Sequence, residues 1–302
     1  MIYPVIQIPR ANVLYDEQMG TKDKDWCRHP SDERLWLFKH PRLISAAAGL
    51  SGEHWAEKLA AELGKLLGVP VAQVELAEIE GHRGSLSRNI LAGDHEAMVH
   101  GNELLAGYVT GYDKERKRGQ NEHTWQNIQA AIRQRVGAGP CAKMLGAFAG
   151  YLVLDAWIAN TDRHHQNWAL LQTQGSRAVS YLMCPSFDHA SSLGRELRDE
   201  RRRDWMTGGI DRYRHHRLAR GAIYWESTDQ RPLHQLELVR RIARESPTLV
   251  HPWLRQLRDI PVDAAAEVIQ PVPETWMSPV AKEFALCLVN ANRNELLTCL
   301  TA

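Results

Sequence analysis

Three side chains in the middle of the chain have the types and the spacing to handle a phosphoryl group. Asp162 and Asn167 stand five positions apart in the polar stretch Asn160-Thr-Asp-Arg-His-His-Gln-Asn167, and a second acid, Asp188, follows in Pro185-Ser-Phe-Asp-His189. Phosphoryl transfer asks little covalent chemistry of a protein. It needs a carboxylate beside the attacking hydroxyl, oxygen ligands for Mg2+ and a cation for the phosphates. Two carboxylates and an amide oxygen match the first two needs. Lys39, at the end of the apolar run Trp36-Leu-Phe-Lys39, is a candidate for the third, because a strand-end lysine can pack its stem and project its ammonium. Plainer readings compete. Asx residues cap turns in any loop, and a strand-end lysine is ordinarily a surface residue. His164, His165 and an aspartate have the residue types of a zinc site, although adjacent histidines seldom aim at one metal.

The elements around these residues must bring them together. Leu145–Leu154 is apolar, too short to span a bilayer, and reads as part of a buried helix over Cys141–Ala159. A helix over Thr124–Val136 precedes it, with Gly137-Ala-Gly-Pro140 as the break. Beyond the polar loop, Trp168–Leu171 and Ser180–Cys184 read as short strands separated by the turn Gln172–Arg177, so Asp188 lies where a strand runs into a turn. Upstream, Tyr3–Ile8 and Arg34–Lys39 read as strands about a turn at Met19-Gly20. Gly52–Gly68 reads as a helix because Trp55, Leu59, Leu63, Leu66 and Leu67 recur at spacings of three and four, and Gly68-Val-Pro70 ends it. Val71–Glu80 and Gly84–Leu91 form a hairpin across Gly81–Arg83. From Leu233 onward the pattern is amphipathic helix broken at Pro247, Pro252, Pro261, Pro271, Pro273 and Pro279. The expected fold class is α+β with two lobes: a small β-rich lobe with one helix over 1–105 and a larger α-helical lobe over 106–302. A cleft between two such lobes is a common place for a nucleotide.

Bulk properties narrow the partners. The chain has 302 residues, 44% of them hydrophobic, and a formal net charge of +1, so a charged partner must be met by a local patch. One candidate patch is Arg195–Arg220, with nine arginines against five acids; it reads either as a dock for an acidic substrate or tRNA, or as a solvated face with internal ion pairs. The five cysteines are scattered and never in a CxxC pair, which suits a reducing compartment, and Met1–Arg10 has no leader pattern. A cytoplasmic location is expected.

The spacing D-x-x-x-x-N is that of the base and the metal-binding asparagine of the protein-kinase catalytic loop, and Asp188 is placed like the kinase metal-binding acid. The resemblance then becomes more specific. Ala159-Asn-Thr-Asp-Arg-His-His-Gln-Asn-Trp168 resembles the N-x-D-R-H-x-x-N signature of HipA-like serine/threonine kinases. Pro185-Ser-Phe-Asp-His-Ala-Ser-Ser-Leu-Gly194 is similar to that family's second metal-binding segment. Trp36–Lys39 and the helix from Gly52 to Gly68-Val-Pro70 extend the likeness to roughly residues 15–195. His100-Gly-Asn102 also looks like the family, with no physical role readable.

The resemblance implies an ATP- and Mg2+-dependent protein kinase with a two-lobed protein-kinase-like fold. It makes Asp162 the catalytic base, Asn167 and Asp188 the Mg2+ ligands, Lys39 the bridge to the ATP phosphates and His164 a nucleotide contact, with the adenine near Leu86–Leu91. A kinase lysine needs an acid to hold it. Glu57 and Glu53 both qualify, one turn apart on a helix, and Glu57 suits the family register better. Gly20, Thr21 and Lys22, with Lys24 beyond, would form a phosphate loop, although neither G-x-G-x-x-G nor a Walker A pattern is present. The family autophosphorylates in this loop, which here points to Thr21. It also implies a protein substrate, such as an aminoacyl-tRNA synthetase or another translation protein, and an antitoxin partner, with no membrane. The early position of Lys39 suggests that the amino-terminal subdomain of longer HipA proteins is missing, so direct DNA binding is not expected. Two rivals stand beside this reading: a lipid or small-molecule kinase of the same fold, and a non-catalytic kinase-like binding module. Intact Asp162, Asn167, Asp188 and Lys39 argue against the second.

Overall fold

The computed structural model describes residues 2–16, 23–32, 34–45, 49–176, 178–214 and 220–301. The first lobe is built on a six-stranded sheet in the order β1 (Val5–Ile8), β7 (Val74–Ile79), β8 (His82–Arg88), β4 (Leu35–Lys39), β3 (Lys24–Arg28) and β2 (Val13–Asp16). β1 runs parallel to β7, and the other neighbours are antiparallel. A short hairpin of β5 (Leu43–Ser45) and β6 (Gly49–Leu50) leads into the helix α1 (Glu53–Leu66). The β7–β8 hairpin is tighter than its sequence suggests. Glu80 and Gly81 both take positive φ, 49° and 78°, which makes a two-residue turn whose twist matches the strands, so β8 begins already at His82.

Register decides what faces α1. Lys24 pairs with Lys39, Lys39 with Ser85, and Ser85 with Leu76, so these four form one row across the sheet. Leu76 packs in the main core with Trp55, Ala56 and Leu59 of α1. The row that carries Lys39 therefore faces α1. The opposite face buries a smaller cluster of Ile8, Cys27, Trp36, Phe38, Ala77, Ile79 and Leu86.

The second lobe holds a three-stranded antiparallel sheet of β9 (Glu96–His100), β10 (Ala169–Gln174) and β11 (Val179–Met183), in the order β11-β10-β9. Around it lie α2 (Gly101–Tyr108), α3 (Trp125–Val136), α4 (Ala138–Ile158), α5 (Asp199–Thr207), α6 (Ile210–Arg214), α7 (Gln235–Glu245), α8 (Pro247–Asp259), α9 (Ala264–Ile269) and α10 (Pro279–Leu297). Because β9 pairs with β10, residues 96–108 belong to this lobe, and the link between lobes is 89–95 rather than the expected 105/106.

Of the prolines read as breaks, Pro247 and Pro279 open α8 and α10, while Pro140 and Pro252 lie further inside helices. Pro140 sits in the first turn of α4, where the missing N–H would have no helical partner anyway, and Gly137 alone, at φ 78°, separates α3 from α4. Pro252 lies within α8, where it removes one backbone bond and tertiary packing keeps the helix intact. The main core wraps α4, whose Phe148, Tyr151, Val153, Leu154 and Trp157 are buried. At 21 residues with a mean hydropathy of 1.3 over its most apolar window, α4 is longer than the sequence run suggested and is apolar enough to cross a membrane. Since 78% of that window is buried inside the protein, it serves as the core helix.

Candidate active site

α4 delivers the polar loop. It ends at Ala159 in the left-handed conformation, φ 55°, an unfavourable geometry for a residue with a Cβ that surrounding packing must hold. From there the loop is tied to the core by Arg163 and Asp155, both buried. The Arg163 guanidinium donates twice to the Asp155 carboxylate, at 2.7 and 2.8 Å, and also to the Asn167 carbonyl at 2.6 Å and to Ser186 Oγ at 2.9 Å. Asn160 Nδ2 donates to Asp155 as well, at 2.8 Å, and Gln235 of α7 donates to the Asn160 carbonyl. Asp162 sits half-buried on this frame. Its N–H donates to Asn160 Oδ1 at 3.3 Å, and its carbonyl accepts from Asn167 Nδ2 at 2.7 Å. That last bond turns the Asn167 amide oxygen the other way.

Asp188 lies on the segment after β11, anchored where Ala72 N–H donates to the Ser186 carbonyl and Ser186 N–H to the Pro70 carbonyl. Its backbone is left-handed, φ 59°, a region aspartate tolerates better than most residues. Lys39 Nζ reaches across from the sheet to 3.1 Å from Asp188 Oδ1. Burial by itself would lower the Lys39 pKa, but Asp188 and, further off, Glu57 outweigh it and raise the pKa above the ordinary value, so the ammonium stays charged. Glu57 is 1% exposed on α1. Burial would raise its pKa; Lys39 and His189 together hold it below the usual carboxylate value. His189 bridges the lobes, with Nδ1 3.7 Å from Glu57 Oε1 and Nε2 2.7 Å from Ser186 Oγ. Glu53, the other acid considered for Lys39, is engaged by Arg42 at 3.2 Å and by Arg195.

The structure thus brings Lys39 to Asp188, sets Glu57 behind them, and places Asp162 and Asn167 on one pinned loop. Gly20, Thr21 and Lys22 lie outside the described residues. Lys24, just past them, stands opposite Lys39 on the neighbouring strand. Leu86–Arg88 end β8 and 89–91 begin the link between lobes.

His164 and His165 diverge, their rings 6.1 Å apart and nearly perpendicular at 86°. His165 Nδ1 meets the Tyr112 hydroxyl at 2.6 Å. Among the described residues no group of three or more His, Cys, Asp or Glu could hold a metal, which removes the zinc reading. A carboxylate on Asp188 and an amide oxygen on Asn167 are instead hard oxygen donors, the kind Mg2+ takes, with water and phosphate oxygens completing its shell. Burial lowers the His164 pKa to about 4; Asp188 opposes this, while Lys117, Arg163 and Arg118 add to it.

Sequence reasoning found no role for His100-Gly-Asn102, and the structure supplies one. His100 Nδ1 lies 3.0 Å from the Gln166 carbonyl, Gly101 N–H donates to the Trp168 carbonyl and Asn102 N–H to the His165 carbonyl, both at 2.9 Å. A Cβ on Gly101 would stand 2.1 Å from the Trp168 indole, so only glycine fits. The tripeptide clasps the loop that carries Asp162. Asp155, Arg163, Ser186 and His189 were also missed as a network. Their visible signal was only that ionisable residues followed an apolar helix directly.

The family model of the HipA-like C-terminal domain matches residues 9–253. This chain belongs to that family. No curated protein matches the sequence. Among solved structures, this HipA-like chain is similar to the Helicobacter pylori proinflammatory kinase CtkA, with a TM-score of 0.75 and 16% identity over 98% of this chain and 96% of that one. It is also similar to HipA of Shewanella oneidensis MR-1, from a toxin–antitoxin complex of HipA, HipB and operator DNA, with a TM-score of 0.52 and 13% identity over 94% of this chain and 64% of that one. At such identities the likeness carries the fold, which is two-lobed and kinase-like. Family and fold together make the HipA-like chain a kinase, a phosphotransferase.

Proposed function

We propose that this HipA-like kinase transfers the γ-phosphoryl group of ATP, with Mg2+, to a serine or threonine hydroxyl of a protein. The observation that carries the reading is the 3.1 Å pair between Lys39 of the first lobe and Asp188 of the second, backed by the buried Glu57. A charged lysine and a carboxylate meeting across a cleft are the parts that neutralise phosphates and hold a metal. Bound Mg2+ would neutralise charge developing on the phosphate oxygens, with Asp188 and Asn167 as its protein ligands. Asp162 accepts the acceptor's hydroxyl proton as the oxygen bonds to the γ-phosphorus; the bond to the bridging oxygen breaks and ADP leaves. Lys39, held charged by its acids, steadies the α- and β-phosphates.

The test is Asp162→Ala. It should lower kcat for phosphoryl transfer by about 10²- to 10⁴-fold while ATP binding survives. Normal turnover would sink the assignment. As a member of its family the protein would act in the cytoplasm as a toxin-like kinase, on a translation protein, under control of an antitoxin. Expression should then arrest growth, and Asp162→Ala at equal protein level should not. Phosphate on Thr21 of protein expressed alone, absent from Asp162→Ala, is the expected mark of self-modification.

A further inference from the structure

Part of the arginine charge after Asp188 is taken up inside the fold. Arg195 pairs with Glu53, Arg202 with Asp199 at 2.8 Å, and Arg214 with Asp211 and Glu295, so these guanidiniums hold elements together. A different run, Lys114-Glu-Arg-Lys-Arg118 between α2 and α3, puts four cations in five residues. Among the described residues none of these four cations has a carboxylate at ion-pair distance. Lys114, Arg116 and Arg118 are exposed, and Lys117 is half-buried.

The run is bolted to the catalytic loop. The Lys114 carbonyl accepts from Asn102 Nδ2 at 3.1 Å and from Gln166 Nε2 at 3.4 Å, and Gln166 immediately precedes Asn167. Tyr112, two positions before Lys114, meets His165 at 2.6 Å. Within the run, Glu115 N–H donates to Asp113 Oδ1 at 3.0 Å and Gln120 Nε2 to the Asp113 carbonyl at 2.7 Å, so the turn has a fixed shape. Lys117 and Arg118 lie near enough to His164, two residues from Asp162, to help lower its pKa, against the opposite effect of Asp188. The four cations are thereby fixed to the loop that carries Asp162, the residue proposed to meet the acceptor hydroxyl.

We infer that Lys114–Arg118 docks acidic side chains flanking the acceptor hydroxyl, so that the substrate is an acidic protein segment. This rests on the kinase reading above and names its substrate class. A nucleic acid fits less well. The chain's net charge is +1, Asp113 precedes the cations and Glu115 interrupts them, and no aromatic side chain lies between Asp113 and Gly119 for a base to stack on.

Two measurements separate docking from catalysis. In the first, a fluorescent peptide with serine flanked by glutamates is titrated into the protein without nucleotide, and its anisotropy is read. Compared with a glutamine-flanked peptide it should bind about tenfold more tightly, the yield of two or three exposed ion pairs, and the gap should close near ~1 M salt. The joint variant Lys114→Gln, Arg116→Gln, Lys117→Gln, Arg118→Gln should lose that preference while kcat on the glutamine-flanked peptide stays unchanged. Equal binding of the two peptides, or a preference that survives in the variant, overturns the inference; so does an oligouridine that binds more tightly than the acidic peptide. In the second, phosphoryl transfer from Mg-ATP is assayed. Loop-dependent binding without transfer to any acceptor refutes the kinase reading and leaves docking intact, whereas transfer that ignores flanking acids does the reverse.

Discussion

At Asp188 the backbone and the carboxylate make separate demands. The left-handed φ of 59° suits aspartate or asparagine, and only the charge pairs with Lys39 and would hold the proposed metal. Asp188→Asn should therefore keep the fold and lose Mg2+-dependent ATP binding in calorimetry. Asp188→Ala should lose the same binding and be about 1 kcal/mol less stable than the asparagine variant in urea. The buried Arg163–Asp155 pair is a harsher case, since removing one partner strands the other. Asp155→Ala should cost about 3–5 kcal/mol and unfold much of the protein at 37 °C. His123 sets an acid limit. Its Nε2 accepts from Trp168 Nε1 at 3.2 Å, its Nδ1 lies 3.0 Å from the Ala222 carbonyl, and burial above all pushes its pKa down to about 3. The unfolded chain therefore binds this proton more readily than the folded one. Stability should be full above about pH 6.5 and fall as pH drops toward 3, with a slope of up to about 1.4 kcal/mol per pH unit from this one site. Urea midpoints across that range should show the slope, and His123→Gln should flatten it.

Elements with local signals were legible, and those made by distant pairing were not. The apolar period over Trp55, Leu59 and Leu63 marked α1 to within two residues at its C-terminal end, and the strand at Leu35–Lys39 was read nearly to its ends. β9 went unread because what makes Glu96–His100 a strand is β10, which lies beyond α4 in the chain. The loop of Lys114–Arg118 was passed over since it has no period, while the larger number of arginines after Asp188 drew attention to charge that ion pairs absorb in part. At the site, residue types and spacing marked Asp162, Asn167, Asp188 and Lys39, yet nothing local tells that His189 joins Glu57 to Ser186. Packing also ties Gly84 to the strand that carries Lys39. A Cβ there would stand 2.3 Å from the Phe38 ring and 2.7 Å from the Lys39 carbonyl. Gly84→Ala should displace β4, destabilise the protein by about 1–3 kcal/mol and weaken ATP binding, measured by unfolding and calorimetry together.

Across the whole molecule, the lobes are stitched at both ends of the chain. Tyr3 N–H donates to the Pro271 carbonyl and its hydroxyl to the Val268 carbonyl, both at 2.9 Å, while β1 completes the sheet edge against β7. Tyr3→Phe should lower stability by about 1 kcal/mol and raise deuterium uptake in β1, without splitting the unfolding transition. The same long-range stitching reaches the catalytic loop. Gln235 holds the Asn160 carbonyl, and Asn292 Nδ2 donates to the Trp157 carbonyl at 3.0 Å while Trp157 Nε1 donates to the Val289 carbonyl at 3.1 Å. During synthesis these bonds form late, so activity should lag behind the emergence of the site residues. When Asp188 leaves the ribosome, the residues that clamp α4 and the loop have still to be made, which takes on the order of ten seconds at ordinary elongation rates. A chain released before α10 is made should therefore carry every residue assigned to phosphoryl transfer and yet transfer no phosphate, whereas the full chain does; an ATP-dependent assay of ribosome-bound and released chains checks this.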